Sequence, residues 1–271
     1  MKKLLLGIAA VCLAGFTFAQ DAPLWMRHSV ISPDGTTIAF TYKGDIYTVP
    51  VAGGRAMQIT TNPAYDTAPV WSPDSKRIAF ASDRMGSLDV YIVAKDGGEP
   101  RRLTTHSGSE TPLAFTDAGH VLFSAGIMPS AEAVVFPSNG QFNQVYRVSV
   151  EGGRPTMISS MPMECISINK EGAMLYQDKK GYEDYWRKHH VSPIARDIWM
   201  YTPGKEPQYR QLTTFGGEDR EPVWAPDGKT FYYLSEENGS FNIYRRTPGD
   251  AKAVQLTHYT KNPVRYLSAA T

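Results

Sequence analysis

The sequence predicts an all-β protein, a β-propeller of four-stranded blades, on three observations. The segment Pro69-Val70-Trp71-Ser72-Pro73-Asp74-Ser75-Lys76-Arg77-Ile78-Ala79-Phe80 recurs as Pro222-Val223-Trp224-Ala225-Pro226-Asp227-Gly228-Lys229-Thr230-Phe231-Tyr232-Tyr233. Each copy reads as apolar strand, Pro-Asp turn, and a second strand rich in β-branched and aromatic residues. The intervals Asp45 to Thr60, Asp89 to Thr104, Gln144 to Ser159 and Asn242 to Thr257 are equal, and Asp197 to Thr213 is one residue longer. Third, 15 tyrosines, 5 tryptophans, 23 glycines and 19 prolines suit a turn-rich β protein, and helical periodicity is lacking after the first residues. A four-stranded unit recurring about every 40 residues is a propeller blade rather than a solenoid turn, which carries one strand per shorter repeat.

Residues 1–19 come first. Met1-Lys2-Lys3, the apolar run Leu4 to Phe18 and the small Ala19 before Gln20 form a secretory signal peptide, too short for a comfortable membrane span. Val11 before Cys12 argues against lipid attachment. The expectation is export to a periplasm or cell surface, with no membrane span after cleavage.

The propeller occupies 20–271, with blades at about 26–61, 69–105, 112–160, 164–214 and 222–258 and an incomplete sixth at 263–271. The first passes through Ser32-Pro33-Asp34-Gly35 and Asp45-Ile46-Tyr47, the second through Asp89-Val90-Tyr91 and Arg102-Leu103-Thr104. The third has Val121-Leu122-Phe123 and Gln144-Val145-Tyr146, the fourth Met174-Leu175-Tyr176 and Asp197-Ile198-Trp199, the fifth Asn242-Ile243-Tyr244. Pro263-Val264-Arg265-Tyr266 opens the sixth. Two insertions break the repeat length: Gly126 to Phe142, and the stretch Gly181 to His190. In the second, Tyr182, Tyr185, Trp186 and Arg187 mix aromatic and cationic groups on a long loop, and are the candidates for binding or docking.

The chain carries 28 basic and 27 acidic side chains with no block of one sign, which excludes a nucleic-acid partner. Loss of the leader leaves Cys165 without a cysteine partner, so no disulfide is expected, and Cys165 reads as a small buried apolar residue on an inner strand. No Gly-x-Ser-x-Gly, His-Glu-x-x-His or Cys-x-x-Cys pattern occurs, so neither a catalytic residue, a metal site nor a cofactor is assigned. His189-His190 reads as part of a solvated loop. Asp34, Asp74 and Asp227 recur at one turn position and read as turn caps rather than calcium ligands. Asp45, Asp89 and Asp197 read as strand-start residues bonding backbone amides.

The Ser-Pro-Asp-Gly, Asp-Ile-Tyr, Gly-Gly and Leu-Thr elements resemble the WD40-like propeller repeats shared by TolB-type proteins and tricorn-type proteases. Gly181-Tyr182-Glu183-Asp184-Tyr185-Trp186-Arg187 with Arg196-Asp197-Ile198-Trp199 resembles the fourth blade of the six-bladed propeller that opens tricorn proteases. Phe215-Gly216-Gly217-Glu218-Asp219-Arg220-Glu221-Pro222-Val223-Trp224 and Pro263-Val264-Arg265-Tyr266-Leu267-Ser268 resemble that family's exported bacterial branch. The resemblance implies the non-catalytic front propeller of a serine peptidase that trims peptides. Peptides would be one partner, and a second propeller, a PDZ domain and a peptidase module of the same protein the others. A homo-oligomer stays open. The basic pair by which the family can hold a peptide carboxylate has no counterpart here, where the loop reads Ser107-Gly108-Ser109-Glu110-Thr111-Pro112. The alternatives are a TolB-type binding propeller without proteolysis and the propeller of a prolyl-peptidase-like enzyme. Mass spectrometry of the exported protein is expected to find an unlipidated chain beginning near Gln20; a lipid-modified Cys12 as first residue is the contrary outcome.

Overall fold

In the computed structural model, residues 25–127, 143–181 and 191–270 are described, and among them every regular element is a strand. Five four-stranded antiparallel sheets form in chain order. The first contains β1 (Arg27–Ile31), β2 (Thr37–Tyr42), β3 (Asp45–Pro50) and β4 (Met57–Gln58); the second β5 (Asp66–Trp71), β6 (Arg77–Ser82), β7 (Asp89–Ala94) and β8 (Arg101–Arg102). The third contains β9 (Glu110–Asp117), β10 (His120–Ala125), β11 (Gln144–Ser149) and β12 (Thr156–Ser159). The fourth contains β13 (Met163–Ile168), β14 (Met174–Asp178), β15 (Ile198–Thr202) and β16 (Gln208–Gln211). The fifth contains β17 (Asp219–Trp224), β18 (Phe231–Ser235), β19 (Asn242–Arg246) and β20 (Val254–Gln255). Each strand pairs with the next in sequence, as a propeller blade requires.

The apolar cores lie between blades. Ala39, Ile46 and Ile59 of the first blade meet Trp71, Phe80 and Tyr91 of the second. Ala79, Val90 and Leu103 meet Phe123 and Tyr146 of the third. Leu122 and Val145 meet Tyr176 of the fourth, and Leu175, Ile198 and Leu212 meet Phe231, Tyr233 and Tyr244 of the fifth. Strand alternation produces this: one face of each sheet offers small or branched residues, the other an aromatic set.

The turn between first and second strands depends on its aspartate. Asp34 accepts from the Thr36 amide at 3.0 Å, Asp74 from Lys76 at 3.2 Å, and Asp227 from Lys229 and Thr230 at 2.8 Å. The Ser32 and Ser72 hydroxyls and, for Asp227, the backbone amides hold these three carboxyls below the ordinary aspartate range. The next residue has φ of 71° at Gly35 and 63° at Gly228. In the second blade it is Ser75 at 56°, whose hydroxyl accepts from the Asp34 amide of the neighbouring blade at 3.1 Å.

Third and fourth strands are joined by a threonine rather than by the strand-start aspartate. The Ile46, Val90, Ile198 and Ile243 amides donate to the hydroxyls of Thr60, Thr104, Thr213 and Thr257 at 2.9–3.0 Å. Thr60 and Thr213 in turn donate to Asp45 and Asp197, at 3.3 and 3.5 Å, and Thr257 to Asn242 at 3.0 Å. This corrects the expectation for Asp45 and Asp197: the hydroxyl reaches the amide first, and the carboxylate receives the hydroxyl. Asp89 pairs with Arg102 at 2.9 Å.

Every first strand breaks register with its neighbour, twice in blade three and once in each of the others. At the break His28, Ala68, Cys165 and Glu221 take φ of 51°, 53°, 52° and 52°. A bulge there bends the strand and swings one side chain out of the alternation. Cys165 is consequently exposed on the inner-strand wall, not a buried core residue as its sequence context suggests. The crowded wall and the nearby Glu221 and Glu164 carboxylates push its thiol up, so it stays protonated.

Acidic residues open the inner strands: Asp66, Glu110 and Asp219 are buried at the first positions of β5, β9 and β17. Arg84 holds Asp66 through two contacts at 3.1 Å. Burial raises Glu110 and Asp219 to about 7. An unfolded carboxyl ionises near 4.5, so between that pH and 7 the folded state keeps protons the unfolded state has lost, and stability falls as pH rises through this window. Glu110→Gln is expected to raise the melting temperature at pH 8 by roughly 6–12 °C, the effect of about 3 kcal/mol at about 2–4 °C per kcal/mol, and to leave it nearly unchanged near pH 4.5. Thermal melts at the two pH values check this; an equal shift at both would refute the ionisation argument.

Candidate functional site

Antiparallel order sends every first-to-second and third-to-fourth turn to one end of the propeller. The second-to-third connections and the links between blades go to the other, here called the loop end. Both insertions leave from the loop end, between β10 and β11 and between β14 and β15. Tyr182, Tyr185, Trp186 and Arg187, with His189 and His190, lie outside the described residues, as does Met128 to Phe142. The limbs that carry them are described.

The limbs of the second insertion are fastened to each other and to the sheet. Lys180 Nζ donates to the Ala195 carbonyl at 2.7 Å and to Asp197 at 2.5 Å, with Asp178 at 3.6 Å. Asp178 accepts from the Asp197 amide at 2.8 Å and from Trp199 Nε1 at 3.1 Å. Ser192 N donates to the Gly216 carbonyl at 3.2 Å, tying the returning limb to the link between the fourth and fifth blades. At the other insertion, Tyr146 Oη donates to the Ile127 carbonyl and fixes the point of departure.

Beneath the returning limb lies an ionic network between blades four and five. Arg196 Nε contacts Glu164 at 3.1 Å, and Gln177 Nε2 donates to the same carboxylate at 2.9 Å. Arg196 Nη1 lies 3.6 Å from Glu218, which accepts from Arg220 Nε at 2.8 Å. The Glu218 amide donates to Glu236 at 3.2 Å, and the Glu221 amide to Gln177 Oε1 at 2.9 Å. Burial would raise the Glu164 carboxyl, but Arg196, the Gln177 amide and Lys179 outweigh it and hold it below the ordinary range. The same carboxylates raise Arg196 against its own burial. Arg220 is fully buried with its guanidinium 5.2 Å from the Phe241 ring centroid, and Arg265 lies 4.7 Å from that ring.

These buried and paired charges hold together the joint between blades four and five. The network sets where the limbs of 182–190 leave and rejoin the wall. Among the described residues no group of three or more His, Cys, Asp or Glu side chains could hold a metal ion. In the loop Ser107 to Pro112, Glu110 is buried while Ser107 and Ser109 are exposed, so this loop presents serines where a carboxylate anchor would need cations.

Sequence reasoning did not single out Glu164, Arg196, Glu218 and Arg220 as one cluster. The available signal was Glu218-Asp219-Arg220-Glu221, a charged run at the start of a strand that must be buried. The loop end also bears Trp25, Met26, Tyr65, Met85, Met161, Val191 and Tyr259, all exposed large apolar side chains. At the opposite end Val51 is the exposed large apolar residue in a turn. No helix among the described residues is long and apolar enough to cross a membrane.

Comparison with known proteins agrees with this architecture. Tricorn protease homolog 1 of Streptomyces coelicolor is 25% identical over 224 residues, covering 82% of this chain and 20% of its own. The uncharacterized peptidase YuxL of Bacillus subtilis is 30% identical over 231 residues, covering 84% of this chain and 31% of its own. The chain thus spans under a third of these relatives. The crystal structure of the tricorn protease superimposes with a TM-score of 0.74 at 18% identity, covering 91% of this chain and 24% of that one. A putative TolB from Agrobacterium tumefaciens gives 0.67 at 15% identity, covering 86% and 81%. The family model of the tricorn protease N-terminal beta propeller domain matches residues 23–271, and the chain belongs to that family.

Proposed function

We propose that this chain is the exported, non-catalytic front propeller of a tricorn-like serine peptidase, passing peptides along its channel and docking the modules that perform proteolysis. The observation that carries the docking role is the fastening of both limbs of residues 182–190 at the loop end by Lys180, Arg196 and the Glu164–Glu218 network. A loop held at its base on a rigid wall loses less entropy on binding than a free one. The exposed apolar residues around the same end give a partner module surface to bury. The family membership supplies the class of reaction, and the similarity to TolB structures is consistent with export.

A second reading, a TolB-type propeller that binds envelope proteins without proteolysis, is favoured by the TolB superposition, in which the matched region makes up 81% of that chain. Two measurements separate the readings. Residues 20–271 are expected to show no peptide hydrolysis above background, and the protein as its gene encodes it to show hydrolysis; absence of activity in both would favour the TolB-type reading. In the full protein, alanine at Tyr185, Trp186 and Arg187 together is expected to weaken assembly by about tenfold, the effect of losing roughly 1.4 kcal/mol, while far-ultraviolet dichroism stays unchanged. Unchanged assembly with altered peptide affinity would move these residues from docking to peptide recognition.

A further inference from the structure

The inner wall of the channel changes character at the loop-end mouth, beside blade one. In blades two, four and five the left-handed residue of the first strand is Ala68, Cys165 or Glu221. In blade one it is His28, and Tyr266 takes the same conformation, at φ 58°, in the segment that runs along β1. That segment is seated on both sides. The Leu267 amide donates to Glu221 Oε2 at 2.7 Å, and Ser268 Oγ accepts from the Ile31 amide at 3.1 Å. The His28 and Tyr266 rings lie 5.1 Å apart. Burial and the neighbouring Arg27 lower His28, so at neutral pH it offers a ring rather than a charge.

Two guanidiniums flank this aromatic pair. Arg27 stacks 5.2 Å from the Trp25 ring centroid, and Arg265 stacks 4.7 Å from that of Phe241. Both charges, with Glu221 and Tyr65, lie near enough to act on the Tyr266 hydroxyl, which places them around one spot. Trp25 is 73% exposed and Tyr65 48%, just ahead of β1 and β5. Trp25 also has φ of 72°, a conformation disfavoured for a bulky residue, and it holds the indole out where little burial offsets the strain. The nearby carboxylates are held from within: Asp66 by Arg84 at 3.1 Å, Asp83 by the Tyr65 amide at 2.8 Å, and Glu221 by Leu267. An indole N–H and a guanidinium donate and never accept, and burial keeps the Tyr266 phenol protonated as a further donor.

We propose that this mouth binds an extended polypeptide segment carrying a carboxylate next to an aromatic or apolar side chain. The carboxylate meets Arg27 and Arg265, and the side chain beside it lies on Trp25 and Tyr65. Stacking engages the face of a guanidinium and a carboxylate engages its edge, so the rings orient both cations without competing with the ligand. The site rests on reading this propeller as a polypeptide-binding one, which both functions considered above share, and not on hydrolysis. It is separate from the insertions, which leave from blades three and four. The carboxylate is either an Asp or Glu side chain of the ligand or the ligand's own C-terminus.

The test uses the protein as its gene encodes it, with any peptidase activity blocked by a fluorophosphonate, and measures binding of short acetylated peptides by calorimetry. One peptide carries an internal Phe-Glu pair and an amidated end, a second ends in Phe-Gln as the free acid, and the amidated Phe-Gln peptide is the reference. At least one carboxylate-bearing peptide is expected to bind about tenfold tighter than the reference, and which one does so names the source of the carboxylate. Arg27→Gln is expected to abolish that preference and leave the reference unchanged. Trp25→Ser is expected to weaken all three peptides about fivefold, and Met157→Ser, at an exposed site on β12, to weaken none, with dichroism unaltered throughout. A benzophenone beside the Phe is expected to join, on irradiation, to a fragment containing Trp25 or Tyr65. Equal affinity for the three peptides, no binding, or a preference that survives Arg27→Gln would overturn the proposal. Displacement of the peptide by inorganic phosphate or anionic vesicles at lower concentration than by unlabelled peptide would overturn it in favour of a phosphate site. Hydrolysis by the unblocked protein without this binding would sink the site and leave the proposed function standing. Binding without hydrolysis would keep the site and favour the second reading.

Discussion

No sheet of this protein buries both its faces by itself. Each blade has an aromatic face and a branched one, and at the four joints between consecutive blades the two unlike faces cover each other. Apolar burial yields about 25 cal/mol per Å², so a blade's stability is held jointly with the blades beside it. The outer strands follow from the same rule. They touch no second core, and β4, β8 and β20 are only two residues long, which also leaves little open edge for pairing with other chains.

The ionic network belongs to this frame. Arg220 and Glu218 are fully buried at the blade four–five joint, where Leu175 and Ile198 supply the apolar core further in. Replacing a buried pair by well-packed apolar groups is often neutral or stabilising, so such a pair is poorly explained by stability. Its geometry explains it better: Arg196 reaches Glu164 and Glu218 from the end of the inserted loop, binding that loop to two blades at once.

The fold was legible in the sequence because its determinants are local and repeated. The Pro-Asp turns, in three blades, and the interval from the start of the third strand to the residue after the fourth, in all five, each report one hairpin, and their repetition removes ambiguity. The site was less legible because its contacts are not local. Nothing near Glu164 in the sequence points to Arg196, and nothing near either points to Glu218. Cys165 is a related case: alternation predicts an inward residue, and the left-handed bulge that reverses it, repeated at His28, Ala68 and Glu221, carries no residue-type signal of its own. The strand-start aspartates were half legible, since spacing tied Asp45 to Thr60 but could not say which group takes the Ile46 amide.

The position of the insertions follows from what the other connections must do. Between first and second strands the turn is fixed by an aspartate bonded two or three residues ahead, and an added residue would break that bond. Between third and fourth strands the threonine hydroxyl must meet an amide at the start of the third, and only the fourth blade takes one extra residue there. Links between blades must place each bulged strand on the channel wall. The second-to-third connection has its ends held by ladder pairs, as Tyr42 with Asp45 and Ser82 with Asp89, and its middle can lengthen at little cost. In blades three and four it does. Both lengthenings emerge at the loop end, and the constraint that keeps the ring regular thereby gathers the variable surface around one mouth of the channel.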